Sequence, residues 1–366
     1  MRSVIWRHFD FWLFGAVVIL CVFGIAMIRS AIGGNVNLAG IPNRQVIWVT
    51  IGLVVILGTT MIDYHLWAAM AKPMYIVMIL LLVTVFVVGE AFFGSARWIE
   101  TEYGFFIQPS ELGKIVLIIV QAEYFSRTQN KPHNLRWVIT SAALTIGMVI
   151  WILLQPNLST SIVCFVIWLS MLWVSGLPIK YIPLFGAAGL VGGLAAFPFL
   201  EEYQQQRVFS FLIPQETTTH GNAYNVDQAL ISIGSGGWFG MGYGNGTQVQ
   251  LRYLQVRHTD YIFSAMAEEF GFVGTVLVIG LLLFVILRCL RAARLSSDMF
   301  GSLIAFGFAI LIAFQMAVNI GVNMNVIPVT GLTLPFISYG GSSLLSLVLG
   351  IGLVESVIMR HKPLEF

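Results

Sequence analysis

The residues best suited to chemistry gather in a few short stretches. Arg257-His258-Thr259-Asp260 stands directly before a long apolar run. A carboxylate at such a water–lipid boundary can take a proton from a hydroxyl when burial or neighbours tune it. The same residues also suit a helix start, where Thr or Asp caps free N–H groups and favours the dipole. Gln108-Pro109-Ser110-Glu111 opens another apolar run, with Lys114 three residues after Glu111. That spacing puts carboxylate and ammonium on one helix face. A pair at membrane depth is either functional or a structural pair that fixes helix register. Arg97-Trp98 and Arg207 supply cations of the kind that hold a diphosphate. Singly, each equally suits an anchor at the membrane interface.

Two further stretches bend the backbone. Gly234–Gly246 reads GSGGWFGMGYGNG, seven glycines in thirteen residues. Glycine allows positive φ and close approach of backbone amides to a ligand, and it equally allows a tight, turn-rich closing loop. The spacing is not that of a dinucleotide fold. Gly331 to Ser343, GLTLPFISYGGSS, interrupts apolar sequence with Pro335 and two adjacent glycines. Irregular backbone at membrane depth must line protein or water rather than lipid. Glu268 and Glu269, inside an apolar segment, are expensive in lipid and must face a cavity or a partner.

Other chemistries lack their residues. There is no Walker loop, no His-Glu-x-x-His and no Gly-x-Ser-x-Gly. The five aspartates (Asp10, Asp63, Asp227, Asp260 and Asp298) never fall two apart, so no Asp-x-Asp metal clamp exists. The three cysteines form no Cys-x-x-Cys pair and outline no disulfide framework.

These groups need elements to hold them, and composition says what those are. Of 366 residues, 58% are hydrophobic and 10% charged, with a net charge of +2, and the mean hydropathy is +0.86. A soluble domain carries roughly a quarter charged residues, so the apolar excess faces a bilayer, and the small net charge does not point to nucleic acid as a partner. The reading is an all-α polytopic membrane protein, a single domain over 1–366. By a template of about 20 apolar residues, ten spans fall near 11–28, 46–62, 73–89, 112–125, 137–154, 160–175, 182–200, 261–287, 301–322 and 340–359. The eighth has an alternative reading, a surface helix over 260–270 followed by a short span. The first run ends without a small-residue cleavage site and reads as a retained signal-anchor. Ten spans put both termini on one side. Twelve of the 19 Lys and Arg share that side and seven lie opposite, so the termini are expected in the cytoplasm. The roughly sixty residues of 201–259 then form one large extracellular loop before the eighth span, too long to be mere connection.

Taken in order, Arg97-Trp98, Gln108-Pro109-Ser110-Glu111 with Lys114, Gln155-Pro156, Gln206-Arg207-Val208, the glycine run, His258-Thr259-Asp260, Glu268-Glu269-Phe270-Gly271, Pro328 and Pro335–Ser343 resemble the SEDS family (shape, elongation, division and sporulation). The resemblance covers nearly the whole chain. Tyr224–Gly237 and Asn245-Gly246-Thr247-Gln248 are more similar to the RodA branch than to the division branch FtsW. It implies a ten-helix fold and polymerisation of lipid II into glycan strands on the outer face of the cytoplasmic membrane. It also implies a class B penicillin-binding protein as transpeptidase partner. Asp260 matches the family's essential aspartate and would be the general base on a GlcNAc 4-hydroxyl. Arg97, Lys114 and Arg207 would neutralise the departing undecaprenyl diphosphate, with Trp98, Glu111, His258, Ser338 and Tyr339 as further substrate-binding candidates. A divalent cation, Mg or Mn, is left open as a sharer of that charge. Three positions depart from the family pattern: Asn157 for an aspartate, Gln255-Val256 for Pro-Glu, and Phe106 for an arginine of some RodA proteins. A lipid II flippase and a scaffold for the transpeptidase are the rival readings.

Overall fold

Asp10 starts the first span: its carboxylate accepts the Leu13 N–H at 3.1 Å, and the apolar run behind it continues as helix α1, Phe11–Ile32. The structure, a computed structural model, describes residues 8–33, 38–88, 90–92, 95–100, 106–177, 181–212 and 222–361. After α1 come α2 (Ile41–Met61), α3 (Tyr64–Val88), α4 (Pro109–Thr128), α5 (Leu135–Leu154), α6 (Leu158–Val174) and α7 (Ile182–Ala196). Three shorter helices follow: α8 (Glu202–Leu212), α9 (Asn222–Ser235) and α10 (Thr247–Gln250). The chain then closes with α11 (Ile262–Leu295), α12 (Met299–Asn323) and α13 (Gly341–Met359).

The ten expected spans correspond to α1–α7 and α11–α13. Among the described residues, seven of these helices are long and apolar enough to cross a membrane. The other three are α6 and α7, which are shorter, and α4, which carries Glu111, Lys114, Glu123 and Arg127. Large apolar side chains such as Leu80, Val87 and Leu277 point outward from the bundle. Only 22% of the α3 apolar window is buried, against 89% for α13. Outward apolar faces around a buried centre are those of a multi-pass membrane protein. At that centre α4 and α13 pack with α12, while α13 lies along α2. Gly352 makes the last approach possible: a Cβ there would stand 1.7 Å from Thr59 Oγ1.

Several expectations need correction. Pro73 was the expected start of the third span, yet α3 begins nine residues earlier and runs through it; membrane helices tolerate proline where neighbours re-satisfy the freed carbonyl. The fourth span is longer than 112–125, because Pro109 suits the first helical turn and seeds α4 there. The eighth is broken: Gly271 takes φ 65° and ψ −165°, dividing α11 in two. Its first piece, however, is buried rather than lying on a surface. The connection between α3 and α4 departs from the all-α reading. It holds a small antiparallel sheet, β1 (Glu90–Phe92), β2 (Ser95–Glu100) and β3 (Phe106–Ile107), in that order. Ala91 faces Ala96 and Ile99 faces Ile107.

Candidate active site

Asp260 lies just outside α11, and the manner in which that helix starts frees its side chain. The N-cap position belongs to Tyr261, which makes no side-chain cap bond. The acceptor instead comes from α12: Asn323 Oδ1 receives the Ser264 N–H at 3.1 Å and the Ser264 hydroxyl at 2.7 Å. The amide of Asn323 donates to the Asp260 carbonyl at 2.9 Å, and that of Asn319 donates to the same oxygen at 3.1 Å. Two asparagines one helical turn apart thus hold the Asp260 backbone, and capping does not occupy its carboxylate. Asp260 is partly buried, and burial raises its carboxyl to about 6, against the opposing pull of Arg207 and a Thr259 hydrogen bond. A carboxylate with that pKa is a far better base near neutral pH than an ordinary aspartate.

Arg207 reaches the same place from α8. Tyr203 and Gln204 on that helix donate to the Pro156 carbonyl at 2.8 and 2.9 Å, and Arg207 follows within one turn, its guanidinium 5.6 Å from the Tyr203 ring centre. The meeting point is Gly331. A Cβ on that glycine would be 3.8 Å from Asp260 Oδ2 and 3.9 Å from Arg207 Nη1. Base and cation therefore flank one small open position.

The third wall is the irregular segment before α13. Ser338 Oγ accepts the Leu334 N–H at 2.9 Å and donates to the Thr259 carbonyl at 2.7 Å. The Tyr339 N–H donates to the His258 carbonyl at 2.9 Å, and the two rings stand 6.0 Å apart. Asn319 also donates to the Leu332 carbonyl at 2.8 Å, so one side chain ties both walls together. Burial beside Arg257 pushes the His258 imidazole down to about 4, leaving it neutral near pH 7. Burial raises the Tyr339 phenol, an effect countered by Arg44, which hydrogen-bonds to it. Arg257 itself turns inward, toward the Ala31 and Leu254 carbonyls.

Glu111 and Lys114 form a buried pair, Nζ to Oε2 at 2.7 Å, with the lysine side chain fully enclosed. Lys114 therefore meets Glu111 rather than the open position beside Gly331. The head of α4 is bolted down on two sides. The Gln108 N–H donates to Ser342 Oγ at 2.9 Å, and Asn157 Nδ2 donates to Ser110 Oγ at 3.4 Å while Asn157 Oδ1 accepts the Thr160 N–H at 3.3 Å. An asparagine can donate and accept at once, so this family departure suits both tasks. Trp98 sits half-buried on β2; the backbone of Arg97 is on that strand, and its side chain lies outside the described residues.

The glycine run serves packing. Gly236 and Gly240 press on the broken turn of α11: Cβ atoms there would stand 1.9 Å from the Ala267 carbonyl oxygen and 2.2 Å from that of Glu269. Met241 and Gly242 N–H groups donate to the Glu268 and Glu269 carbonyls at 2.9 and 3.0 Å, and Phe272 N–H returns a bond to Gly237 at 2.8 Å. The loop thereby satisfies backbone groups that the Gly271 break releases. Glu268 accepts the Gln248 and Val249 N–H groups at 2.8 and 3.2 Å, and Glu269 accepts the Ser30 hydroxyl. Both glutamates are anchors. Among the described residues no three His, Cys, Asp or Glu side chains assemble as a metal set.

A family profile described as cell cycle protein, covering FtsW, RodA and SpoVE, matches residues 5–363. The chain belongs to that family. It is 33% identical over 372 residues to the probable peptidoglycan glycosyltransferase FtsW of Geobacter sp. (strain M18), covering 99% of both chains. It is 34% identical over 361 residues to the peptidoglycan glycosyltransferase MrdB of Escherichia coli (strain K12), covering 98% of this chain and 95% of that one. Among solved structures it matches RodA of Thermus thermophilus with a TM-score of 0.72 at 30% identity, covering 96% of this chain and 97% of that chain. It matches a chain of a peptidoglycan synthase complex that coordinates polymerization and crosslinking with a TM-score of 0.82 at 30% identity, covering 97% and 99%. Of the motif residues, Asp260 and Arg207 meet beside Gly331. Asn319, Asn323 and Arg44 escaped the reading by motif. The first two had a visible signal, since two asparagines four apart in an apolar span demand a partner.

Proposed function

We propose that this chain is a peptidoglycan glycosyltransferase that polymerises lipid II into glycan strands on the outer face of the cytoplasmic membrane during cell elongation. The observation that carries this reading is the pairing of a half-buried, uncapped Asp260 with Arg207 across Gly331. In this mechanism Asp260 takes the proton from the GlcNAc 4-hydroxyl of one substrate as that oxygen bonds to the sugar carbon of the other. The bond from that carbon to the diphosphate breaks, and undecaprenyl diphosphate leaves with the electron pair beside Arg207. The neutral His258 and Tyr339 with Arg44 stand beside Asp260 and would hold the sugars, with Trp98 of β2 as a further candidate. A Mg or Mn ion would supply further positive charge to the diphosphate, but the described residues offer no carboxylate set to hold one, and the proposed chemistry runs on Asp260 and Arg207. Partnership with a class B penicillin-binding protein is supported by the likeness to the synthase complex.

Polymerisation of labelled lipid II by the purified protein, with and without such a partner, tests the function. Glycan strands in either condition are expected. Transbilayer movement of lipid II without polymer would favour a flippase, and neither activity would leave a scaffold. The elongation role rests on Tyr224–Gly237 and Asn245–Gln248, because FtsW relatives at 33–36% and MrdB at 34% are equally similar. Rescue of RodA-depleted but not FtsW-depleted cells is the expected outcome; the reverse assigns the chain to division.

Orientation follows from the 12-to-7 distribution of Lys and Arg, which puts both termini in the cytoplasm and Asp260 outside. The three native cysteines are buried, so a Glu202→Cys variant offers a clean exposed thiol. A membrane-impermeant maleimide should label it in intact spheroplasts. Labelling that appears only after lysis reverses the topology.

A further inference from the structure

At the opposite end of α4 from the site, about 25 Å from Ser110 by helical rise, lies a groove of about 610 Å3 between α3, α4 and α5. Its walls are apolar, built from Ile76, Val120 and Leu144. Its rim carries three cations from separate places: Lys72 on α3, Arg127 on α4, and Lys131 in the turn after α4. One carboxylate, Glu123, shares the rim and is already paired with Arg127 at 3.0 Å. Among the described residues no carboxylate pairs with Lys72 or Lys131. The walls are fixed rather than loosely apposed. Tyr75 on α3 donates to the Leu144 carbonyl of α5 at 2.8 Å, and Tyr124 on α4 donates to the Trp137 carbonyl at 2.9 Å.

We infer that this groove holds one anionic phospholipid of the surrounding membrane, its phosphate between Lys72 and Lys131 and an acyl chain along the apolar walls. Apolar walls alone would accept any hydrocarbon. The surplus of cations at one end selects an amphiphile with a negative head, because two lysines at a membrane surface attract anionic lipid by about fivefold each. The site is independent of the reaction proposed above; only the leaflet that supplies the lipid, the cytoplasmic one, depends on the proposed orientation. It would anchor the tail of α4, the helix whose head carries Glu111 and Lys114.

Native mass spectrometry of the detergent-purified protein, titrated with phosphatidylglycerol or phosphatidylcholine, tests the inference without reference to polymerase activity. The wild type should retain one phosphatidylglycerol at least about tenfold more strongly than phosphatidylcholine. A Lys72→Gln/Lys131→Gln variant should lose that preference, and a Lys72→Arg/Lys131→Arg variant should keep it, which guards against a general loss of folding. Equal retention of the two lipids by the wild type, or an undiminished preference in the Gln variant, would overturn the proposal. So would loss of preference in the Arg variant. Displacement of the lipid by glycerophosphoglycerol or inorganic phosphate alone would show that the chain plays no part. A dimer that excludes lipid would instead give the groove to a second copy.

Discussion

Asp260→Asn lowers polymerisation of lipid II by at least the ~100-fold typical of removing a general base, with folding, insertion and partner binding intact. The expectation rests on how α11 begins. Tyr261 holds the N-cap position and Asn323 supplies the acceptor for Ser264, so the Asp260 carboxylate is not needed to start the helix. Asn319 and Asn323 grip its carbonyl, which the substitution leaves in place. An asparagine has nearly the shape of aspartate and lacks only the basic oxygen. The pH profile adds a second reading. Burial raises the carboxyl to about 6, and the ionised form is the one that accepts a proton. The wild-type rate should therefore rise with pH through about 6 and then level off, and the residual activity of Asp260→Asn should lack that limb. A folded Asp260→Asn enzyme working at near wild-type rate would remove the base from this site.

Lys114→Ala is expected to insert into the membrane and to lose most polymerase activity. The cause lies in the partner it abandons. Lys114 is enclosed and bonded to Glu111 at 2.7 Å, and stranding one member of a buried pair costs about 3–5 kcal/mol. The strain falls on the head of α4, where Gln108 holds Ser342 and Ser110 holds Asn157. A loss of activity alone does not separate charge from packing. The double variant Glu111→Gln/Lys114→Met does, because it removes both charges and leaves no orphan. Its thermal midpoint and its polymerisation should both return toward the wild type. Polymerisation that stays low in a double variant whose thermal midpoint has recovered would show that the loss does not come from the stranded charge.

Hydropathy is a local sum, and what depends on local sums was legible in the chain by itself. About 20 apolar residues in a row must become a buried helix or a span wherever they lie, so the all-α membrane bundle followed from composition read in windows. The type and spacing of Glu111 and Lys114, three apart at a helix start, likewise determined that they would meet. Asp260 was marked by its chemistry and its place before an apolar run. The edges were less legible, because Pro73 breaks a helix in water but not where neighbouring helices re-satisfy its turn.

Only the tertiary structure decided what each group faces. Arg207, Asp260 and Gly331 are separated by more than fifty residues at each step, and no window along the chain contains two of them. The choice between a cap and a free base at Asp260 depended on Asn319 and Asn323, on a helix that comes later. The glycine run offered a ligand nest or a tight loop, and the answer came from the Gly271 break against which it packs. The short strands β1–β3 carry too little alternation to be read alone and exist through their pairing. Residue type sets what a side chain can donate, accept or repel. Its partner and its burial are properties of the packed bundle, and these decide which of those capacities is left free for chemistry.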